Sequence, residues 1–321
     1  MAAQKVVSAW TPSTAIKITG STIMQNYETI IIGGGPAGLS AALIAGRALR
    51  KVLIIDGGEP RNRKAPAMHS YLSRDGILPQ EFRKAARAEL LRYDTVTYRE
   101  GLVQTIQPAD GGYSVELADG DIVFAPKILL ALGVTDQLPA IEGLVENWGR
   151  GVHHCPFCDG FEHRGEHWGV LVETTAMLDH AVFFKNWAGR LTVFTNGAGL
   201  PAEKLSDLSR AEVNLVTTPV KEVLSGDGHT IGGIVLRDGR REDIQSLWIR
   251  PLQSQTPIVT GLPLNIRDDS GLWRNEMNET SMKGIYAAGD CAAGPMQQAI
   301  LAAADGARTM FSIIHSLVNA H

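Results

Sequence analysis

Apolar residues fall in short solid runs along most of this chain, with helical spacing between the runs. Residues 29–32 (TIII), 51–56 (KVLIID), 128–134 (ILLALGV) and 168–172 (WGVLV) are strand-length and do not alternate with polar residues. Such runs predict strands covered on both faces, as in a parallel sheet. The Ala-rich stretch 39–49 predicts a helix. Residues 79–93 predict an amphipathic one with Phe82, Ala86 and Leu90 on one face. Residues 95–126 carry DGG and ADGD turns between short strands, the pattern of a small β-meander. Residues 127–139 read as a buried strand, a glycine turn and a proline. A second strand–helix–strand unit starts at Trp168: WGVLV, a helix from about 176 to 187, then LTVFTN, with short strands to about 249. Residues 284–290 (GIYAAGD) end a strand, and 296–318 predict a long helix.

This order predicts two doubly wound α/β units with parallel sheets. Residues 25–138 and 251–321 form one discontinuous unit, and 139–250 are inserted into it. Residues 1–24 contain no acid, only Lys5 and Lys17 as cations, and many Ser and Thr. They lack the apolar core of a secretory signal and are Arg-poor for a transit peptide, so they read as a disordered extension, with organellar targeting the weaker alternative.

Composition adds exclusions. The 321 residues are 44% apolar and 20% charged, with a net charge of −4 and no long run of one sign. Neither nucleic acid nor a membrane surface is indicated. No apolar stretch approaches the ~18–20 residues of a membrane span. Three cysteines are too few for a disulfide framework, and two stand at CxxC spacing. That favours redox or metal chemistry in a reducing compartment, and so a cytoplasmic protein.

Two motifs carry chemistry. Gly33-x-Gly35-x-x-Gly38, with Pro36 and Ala37 inside it, follows a strand and opens a helix, and Asp56 ends the next strand. This is the dinucleotide fingerprint of a Rossmann-like domain. The first glycine permits the tight turn, the second lets the backbone approach a pyrophosphate, and the third lets helix and strand pack. The helix N-terminus faces the phosphates, and Asp56 accepts from a ribose hydroxyl. A glycine-rich turn without a ligand is the alternative. The second motif is Cys155-Pro-Phe-Cys158-Asp159-Gly160. A zinc knuckle needs two more soft ligands; Cys291 is distant, although His153, His154 and His163 are near. A structural thiol pair is a second reading. A redox dithiol fits best, because Pro156 suits a first helical turn and a helix N-terminus stabilises a thiolate. No metal is expected.

The segment GIYAAGDCAAGPMQQAILAAADGA resembles the second FAD signature of the thioredoxin reductase group of flavoproteins. The resemblance spans residues 27 to about 315. It implies two Rossmann-like, three-layer ββα domains of the thioredoxin reductase type, and FAD as cofactor. Gly289 and Asp290 match the family's Gly-Asp beside the ribityl chain. Gln298 and Ala299 match its Gln-Ala at the flavin pyrimidine edge, but Gln297 replaces the family's Arg. ALGVTDQLP is similar to the family's Ala-Thr-Gly crossover, with Leu132 in the Thr place and Gly133 kept. Low-molecular-weight thioredoxin reductases carry CxxCDG at this same place. Carried over, Cys158 is the flavin-proximal thiol, Cys155 the interchange thiol and Asp159 the acid–base carboxylate. For Asp159 the alternative is a carboxylate that only meets the helix dipole. His153 and His154 are further proton-donor candidates, with a core or solvated histidine the safer reading. Cys291 has no counterpart and is read as structural. The resemblance also implies a homodimer and a thioredoxin-like protein or small-molecule dithiol or disulfide as partner.

One departure changes the expected electron donor. The inserted unit lacks the second GxGxxG/A: no glycine stands between Gly169 and Gly189. Glu173, Thr174 and Thr175 obstruct a pyrophosphate, and Glu173 adds like charge. No cation follows the next strand until Lys204, and Asn196 stands where an acid would take a ribose 2′-hydroxyl. NADPH and NADH are therefore not expected as donors. The chain resembles the pyridine-nucleotide-independent branches, which use ferredoxin, hold an additional FAD, or oxidise small dithiols with O2 as the gliotoxin- and holomycin-type oxidases do. Residues 57–76 (GGEPRNRKAPAMHSYLSRDG) with CPFC are most similar to the third branch, where His commonly replaces the residue at Asp159. The expectation is an FAD-dependent disulfide/dithiol oxidoreductase independent of NAD(P)H. The alternatives are an NADPH-dependent thioredoxin reductase with a divergent cofactor site, and a non-catalytic flavin redox sensor.

Overall fold

Thr29–Ile32 form strand β1, and all four residues are buried. The computed structural model describes residues 27–319 except 173–177, 179–180, 200, 202, 204–205, 207 and 209–211. The N-terminal stretch 1–24, Glu173, Thr174, Thr175 and Lys204 lie outside the described residues.

After β1 come helix α1 (Pro36–Arg47), β2 (Val52–Asp56), α2 (Pro79–Leu90) and β3 (Val96–Glu100). Strands β4 (Val103–Ala109), β5 (Gly112–Leu117) and β6 (Ile122–Ala125) pair antiparallel as a meander. Then follow β7 (Lys127–Leu130), β8 (Thr135–Gln137), β9 (Val152–His153), α3 (Pro156–Asp159), β10 (His167–Leu171) and β11 (Arg190–Phe194). Short strands β12 (Asn214–Val216), β13 (Val220–Ser225), β14 (Ile231–Leu236), β15 (Arg241–Glu242), β16 (Ser246–Ile249) and β17 (Leu252–Ser254) come next. Helix α4 (Pro257–Thr260), β18 (Ile285–Ala287), α5 (Asp290–Ala293) and α6 (Ala299–Val318) complete the chain.

The first sheet has the order β18-β7-β1-β2-β3 and is parallel throughout. The solid apolar runs follow from its position between two layers. Ile30, Ile32, Leu53 and Ile55 face the meander with Val115 and Leu117. Ile31, Val52 and Ile54 face α1 and α6 with Ala41, Ala45 and Met310. Meander, sheet and helices make three layers, and each fully buried Ile or Leu contributes about 1.5–3 kcal/mol. Helices α1 and α6 touch closely: a Cβ on Gly306 would lie 2.0 Å from the Ala37 carbonyl oxygen.

The second sheet, β12-β11-β10-β16-β9, is also parallel. A three-stranded antiparallel sheet, β13-β14-β15, packs beside it through Val223, Ile234 and Leu247. Strands β8 and β17 pair antiparallel where the chain passes between the two sheets. No helix among the described residues is long and apolar enough to cross a membrane.

Some element bounds differ from the sequence pattern. Helix α1 starts at Pro36, three residues before 39, because the glycine turn runs straight into its first turn, and it ends at Arg47 ahead of Leu49, whose φ is +56°. Val96–Glu100 does not join the meander: it is the edge strand of the parallel sheet, with only Val96 buried. Its half-exposed pattern is that of an edge, which hid it among the meander strands. Of the helix expected at 176–187, Val182–Asn186 form a 3-10 turn. The last helix begins at Ala299, with extended Gln298 before it.

Candidate active site

The glycine turn after β1 is a shaped cradle. Gly33 has φ +113°, and a Cβ there would lie 2.2 Å from the Ala131 carbonyl oxygen. A Cβ on Gly38 would lie 1.9 Å from the Gly33 carbonyl oxygen, so the helix start rests directly on the turn. A Cβ on Gly35 would meet nothing within 4 Å. Its open face is the space a pyrophosphate needs. No side chain caps the N-terminus of α1, where Gly35 precedes Pro36 and Ala37. Its first N–H groups and dipole are left for an anion.

Asp56 closes the other side of the turn: a Cβ on Gly34 would lie 2.2 Å from Asp56 Oδ2. The Gly58 N–H donates to Asp56 Oδ1 at 3.0 Å, and Arg83 and Tyr98 both donate to Oδ2. Burial alone would raise this carboxyl's pKa. The hydrogen bonds from Tyr98 and Gly58 and the Arg83 charge outweigh it and hold the carboxyl below the usual range. Tyr98 in turn is pushed up to about 12 by its burial and by Asp56. A carboxylate offers about four acceptor sites, so one remains for a ribose hydroxyl.

The topology brings two further glycine turns to the same sheet end. Gly33 follows β1, Gly133 follows β7 and Gly289 follows β18, and these strands are neighbours. This is the crevice at the carboxyl ends of parallel strands where nucleotides bind. Gly133 (φ +67°) faces open space, whereas a Cβ on Gly289 (φ +76°) would lie 2.9 Å from Ala37 Cβ. The Gly289 N–H donates to Asp305 Oδ2 at 2.9 Å, and Arg274 holds the same oxygen at 2.7 Å. Asp290 opens α5; burial raises its pKa above the usual range against the pull of Arg61. Gln298 and Ala299 stand at the start of the 20-residue helix α6, which no side chain caps.

Arg61 was not singled out by the sequence reading, and it ties this region together. It grips Asp136 with Nε at 2.6 Å and Nη2 at 2.8 Å, and reaches Asp290 at 3.3 Å and Gln297 at 2.7 Å. Gln253 donates to both Asp136 and Gln297. A guanidinium thus meets the side chain at position 297, where the resembled family has Arg. The sequence signal was the stretch 57–76, which stood out as a block without a role for any one residue.

Cys155 and Cys158 are joined as a disulfide, with their Cα atoms 5.3 Å apart. Cys155 is the extended residue before α3, and Pro156 takes the first helical position. Residues 57–76 reach this helix: Ser70 Oγ donates to the Phe157 carbonyl at 3.1 Å, and His69 lies 3.5 Å from Glu162. Phe157, Phe161 and Phe183 are exposed at 61%, 67% and 46%, so an apolar aromatic surface surrounds the disulfide helix.

Asp159 Oδ2 lies 3.6 Å from Nδ1 of buried His153. Burial would raise its pKa, but the close His153 imidazole, with His154 and His163 acting more weakly, holds it below the ordinary value. His154 stacks on Trp148 at 5.6 Å, and burial and the Arg61 charge push its pKa down to about 4. It is a neutral base at neutral pH. Cys291 is fully buried, with Sγ 3.3 Å from the Ala288 carbonyl oxygen, and burial and Asp290 push its thiol up to about 12. Such a thiol is inert. No group of three or more His, Cys, Asp or Glu able to hold a metal occurs among the described residues.

In the second sheet, Gly169 is packed within β10: a Cβ there would lie 2.4 Å from Ile244 Cδ1 and 2.9 Å from the Phe194 ring. Asn196 Oδ1 accepts from the Val220 N–H at 2.9 Å.

A family model described as pyridine nucleotide-disulphide oxidoreductase matches residues 27–175. A probable thioredoxin reductase of Arthroderma benhamiae is 36% identical over 192 residues, which are 58% of this chain and 48% of that protein. The chain thus spans about half the length of that relative. Thioredoxin reductase sirT of Leptosphaeria maculans is 33% identical over 305 residues, covering 89% of this chain and 93% of its own. Among solved structures, an oxidoreductase from Agrobacterium tumefaciens superposes with a TM-score of 0.86 and 35% identity, over 92% of this chain and 100% of that one.

Proposed function

The chain belongs to the thioredoxin reductase-like family of flavin disulfide oxidoreductases, and on that premise we propose that it is an FAD-dependent disulfide/dithiol oxidoreductase working without NAD(P)H. The observation that carries this reading is the Cys155–Cys158 disulfide next to the half-buried carboxylate of Asp159, in a chain whose three glycine turns share one sheet end. In this reading 25–138 with 251–321 is the FAD-binding unit and 139–250 the insert. Bound FAD would supply the capacity to take up or give two electrons at the dithiol. Gly33, Gly35, Pro36, Ala37 and Gly38 cradle its pyrophosphate, and Asp56 orients a ribose. Gly133, Gly289, Asp290, Gln298 and Ala299 line the rest of the crevice. Cys158 is the thiol on the cofactor side and Cys155 the one that exchanges with substrate. Asp159 holds and returns the proton of the leaving thiolate.

Relatives named thioredoxin reductase point to a thioredoxin-like partner. The exposed Phe157, Phe161 and Phe183 suit an apolar small-molecule dithiol equally. We place the protein, as a homodimer, in the reducing cytoplasm. Independence from NAD(P)H is supported by the glycine-free sequence after β10. Ferredoxin, another non-pyridine donor or a second FAD then takes the place of the nicotinamide. The test is anaerobic mixing with NADPH, NADH, reduced ferredoxin or dithiothreitol, following flavin bleaching. A dithiol or protein donor should bleach the flavin and both nicotinamides should fail. Rapid bleaching by NADPH would overturn independence and make the chain an ordinary NADPH-linked reductase.

A further inference from the structure

One turn of α6 reaches both arms of the crevice. Gly306 lies against the Ala37 carbonyl of α1, and Asp305 beside it accepts the Gly289 N–H on Oδ2 at 2.9 Å. Gly289 (φ +76°) in turn touches the same residue of α1: a Cβ on it would lie 2.9 Å from Ala37 Cβ. Arg274 completes the arrangement. Its Nη1 donates to Asp305 Oδ2 at 2.7 Å and to the carbonyl of Ala287, the last residue of β18, at 2.9 Å. Both side chains are largely buried, with Arg274 15% and Asp305 14% exposed. Arg308 takes the other carboxylate oxygen, Oδ1, at 2.9 Å. Burial would raise the Asp305 pKa, but the hydrogen bonds from Arg274 and the Gly289 N–H outweigh it, so the group is a carboxylate. A buried ion pair adds little net stability compared with apolar side chains of the same size. What it adds is direction. One carboxylate oxygen can accept a guanidinium and a backbone N–H together, which no apolar contact does.

We propose that Asp305 and Arg274 are positioning residues for the cofactor crevice: they hold the turn from Ala287 to Gly289 in the conformation that receives FAD. The proposal rests on the reading of this sheet end as the FAD site. Neither side chain has to touch the cofactor. Asp305 acts through the Gly289 N–H, and Arg274 acts through the Ala287 carbonyl and through Asp305. The residue assigned to the cofactor comes next in the chain, since Asp290 opens α5. Gly289 has no side chain to anchor it, and a glycine leaves its left-handed φ at small cost. Removing the carboxylate leaves a buried N–H and a buried guanidinium without their shared acceptor. The turn then relaxes toward arrangements that pair those groups otherwise. Binding weakens in proportion to the fraction of molecules that still hold the receptive one.

The experiment uses the holoprotein below its melting temperature. FAD release is read from flavin fluorescence on serial dilution, and amide exchange of residues 284–294 is followed by mass spectrometry. Asp305→Ala should raise the Kd for FAD about tenfold, the result when about a tenth of the molecules keep the receptive turn. It should also speed exchange in 284–294 and leave the meander unchanged. Asp305→Asn keeps an oxygen for the Gly289 N–H and should restore most of the affinity, with Kd within about threefold of the wild type. Arg274→Gln should raise Kd severalfold, and it stays decisive if Asp305→Ala fails to fold. A lower melting temperature with Kd and local exchange unchanged would make the pair merely structural and overturn the proposal. Equal losses in Asp305→Ala and Asp305→Asn would overturn it as well. Gly35→Val separates the two levels, because a Cβ at Gly35 meets no protein atom within 4 Å. If Gly35→Val releases FAD while Asp305→Ala and Arg274→Gln hold it as the wild type does, the positioning role alone fails. If Gly35→Val retains FAD, the reading of the crevice fails and the positioning role fails with it.

Discussion

Arg61 Nη1 donates to Gln297 Oε1 at 2.7 Å, across 236 positions of sequence. The same guanidinium grips Asp136 with two nitrogens and touches Asp290. Position 297 carries an amide where Arg was expected by resemblance, and a guanidinium arrives from the segment after β2 instead. It neutralises two carboxylates that would otherwise repel in the crevice.

Arg61→Ala should therefore cost stability and cofactor together. The side chains are partly buried, with Arg61 18%, Asp136 8% and Asp290 21% exposed. Discounted from the ~3–5 kcal/mol of a fully buried pair, the loss should be roughly 2–4 kcal/mol in urea unfolding. Arg61→Lys should recover only part, because an ammonium cannot make the two-pronged contact with Asp136. An unchanged unfolding midpoint in Arg61→Ala would show that the cluster is not structural.

Gly35 and Gly38 should behave oppositely. A Cβ at Gly35 meets no protein atom, and its φ of −78° suits any residue. Gly35→Val should leave the apoprotein folded, with its melting temperature within a few degrees, yet unable to bind FAD. Gly38→Ala should destabilise the fold itself, because its Cβ would lie 1.9 Å from a carbonyl oxygen. Flavin absorbance per chain, with melting in the absence of flavin, separates the two. A yellow Gly35→Val protein would remove the pyrophosphate from this turn.

Much of this was legible in the sequence, and the misses share a cause. The TIII run, the glycine turn, the meander turns and the CxxC are local patterns, and β1, α1, the β4–β6 meander and α3 stand where they point. Val96–Glu100 was misread because an edge strand has the half-exposed pattern of a meander strand. Arg61, Arg83 and Tyr98 were missed as partners because pairing across the fold leaves no period in the chain. Asp56 was read as a ribose acceptor without the three donors it also holds, Tyr98, Arg83 and the Gly58 N–H.

The two cysteines of the motif should be separable. Cys155→Ser and Cys158→Ser should both keep FAD and lose turnover with a dithiol. If Cys158 is the thiol on the cofactor side, Cys155→Ser alone should show a long-wavelength absorption band from its remaining thiolate. The reverse pattern would exchange the two roles. Cys291→Ser should stay near wild-type activity, since that thiol is buried and held protonated.

His154 should make the fold sensitive to mild acid. Its folded pKa is about 4, below the unfolded value of 6.5, through burial and the Arg61 charge. Between those values the unfolded chain binds a proton that the folded chain refuses, so stability falls as pH drops through this window. From pH 6.5 to 5 the loss from this residue should be about 2 kcal/mol. His154→Phe preserves stacking on Trp148 and should abolish that part of the loss. Urea unfolding at the two pH values measures it, and equal pH dependence in both proteins would refute the assignment.

The nicotinamide prediction can be tested by binding alone, without any turnover. A dinucleotide site in a Rossmann-like unit needs small residues at the strand–helix turn, so that phosphate oxygens reach backbone N–H groups. Here the sequence after β10 reads V-E-T-T-A-M-L, with no glycine among these positions. The next strand ends at Phe194, and Asn196 just beyond it accepts from the Val220 N–H and brings neither the acid that selects NADH nor the cation that selects NADPH. A functional site filled to 100 times its Kd would stabilise the fold by about 2.7 kcal/mol. Millimolar NADPH or NADH should therefore leave the melting temperature of the holoprotein unchanged, while FAD raises that of the apoprotein. Flavin content then identifies what the second groove holds: about one FAD per chain if it is filled by protein, and more if a second flavin enters. An upward shift of several degrees with NADPH would mean that the divergent turn still binds phosphate, and the chain would be an NADPH-linked reductase.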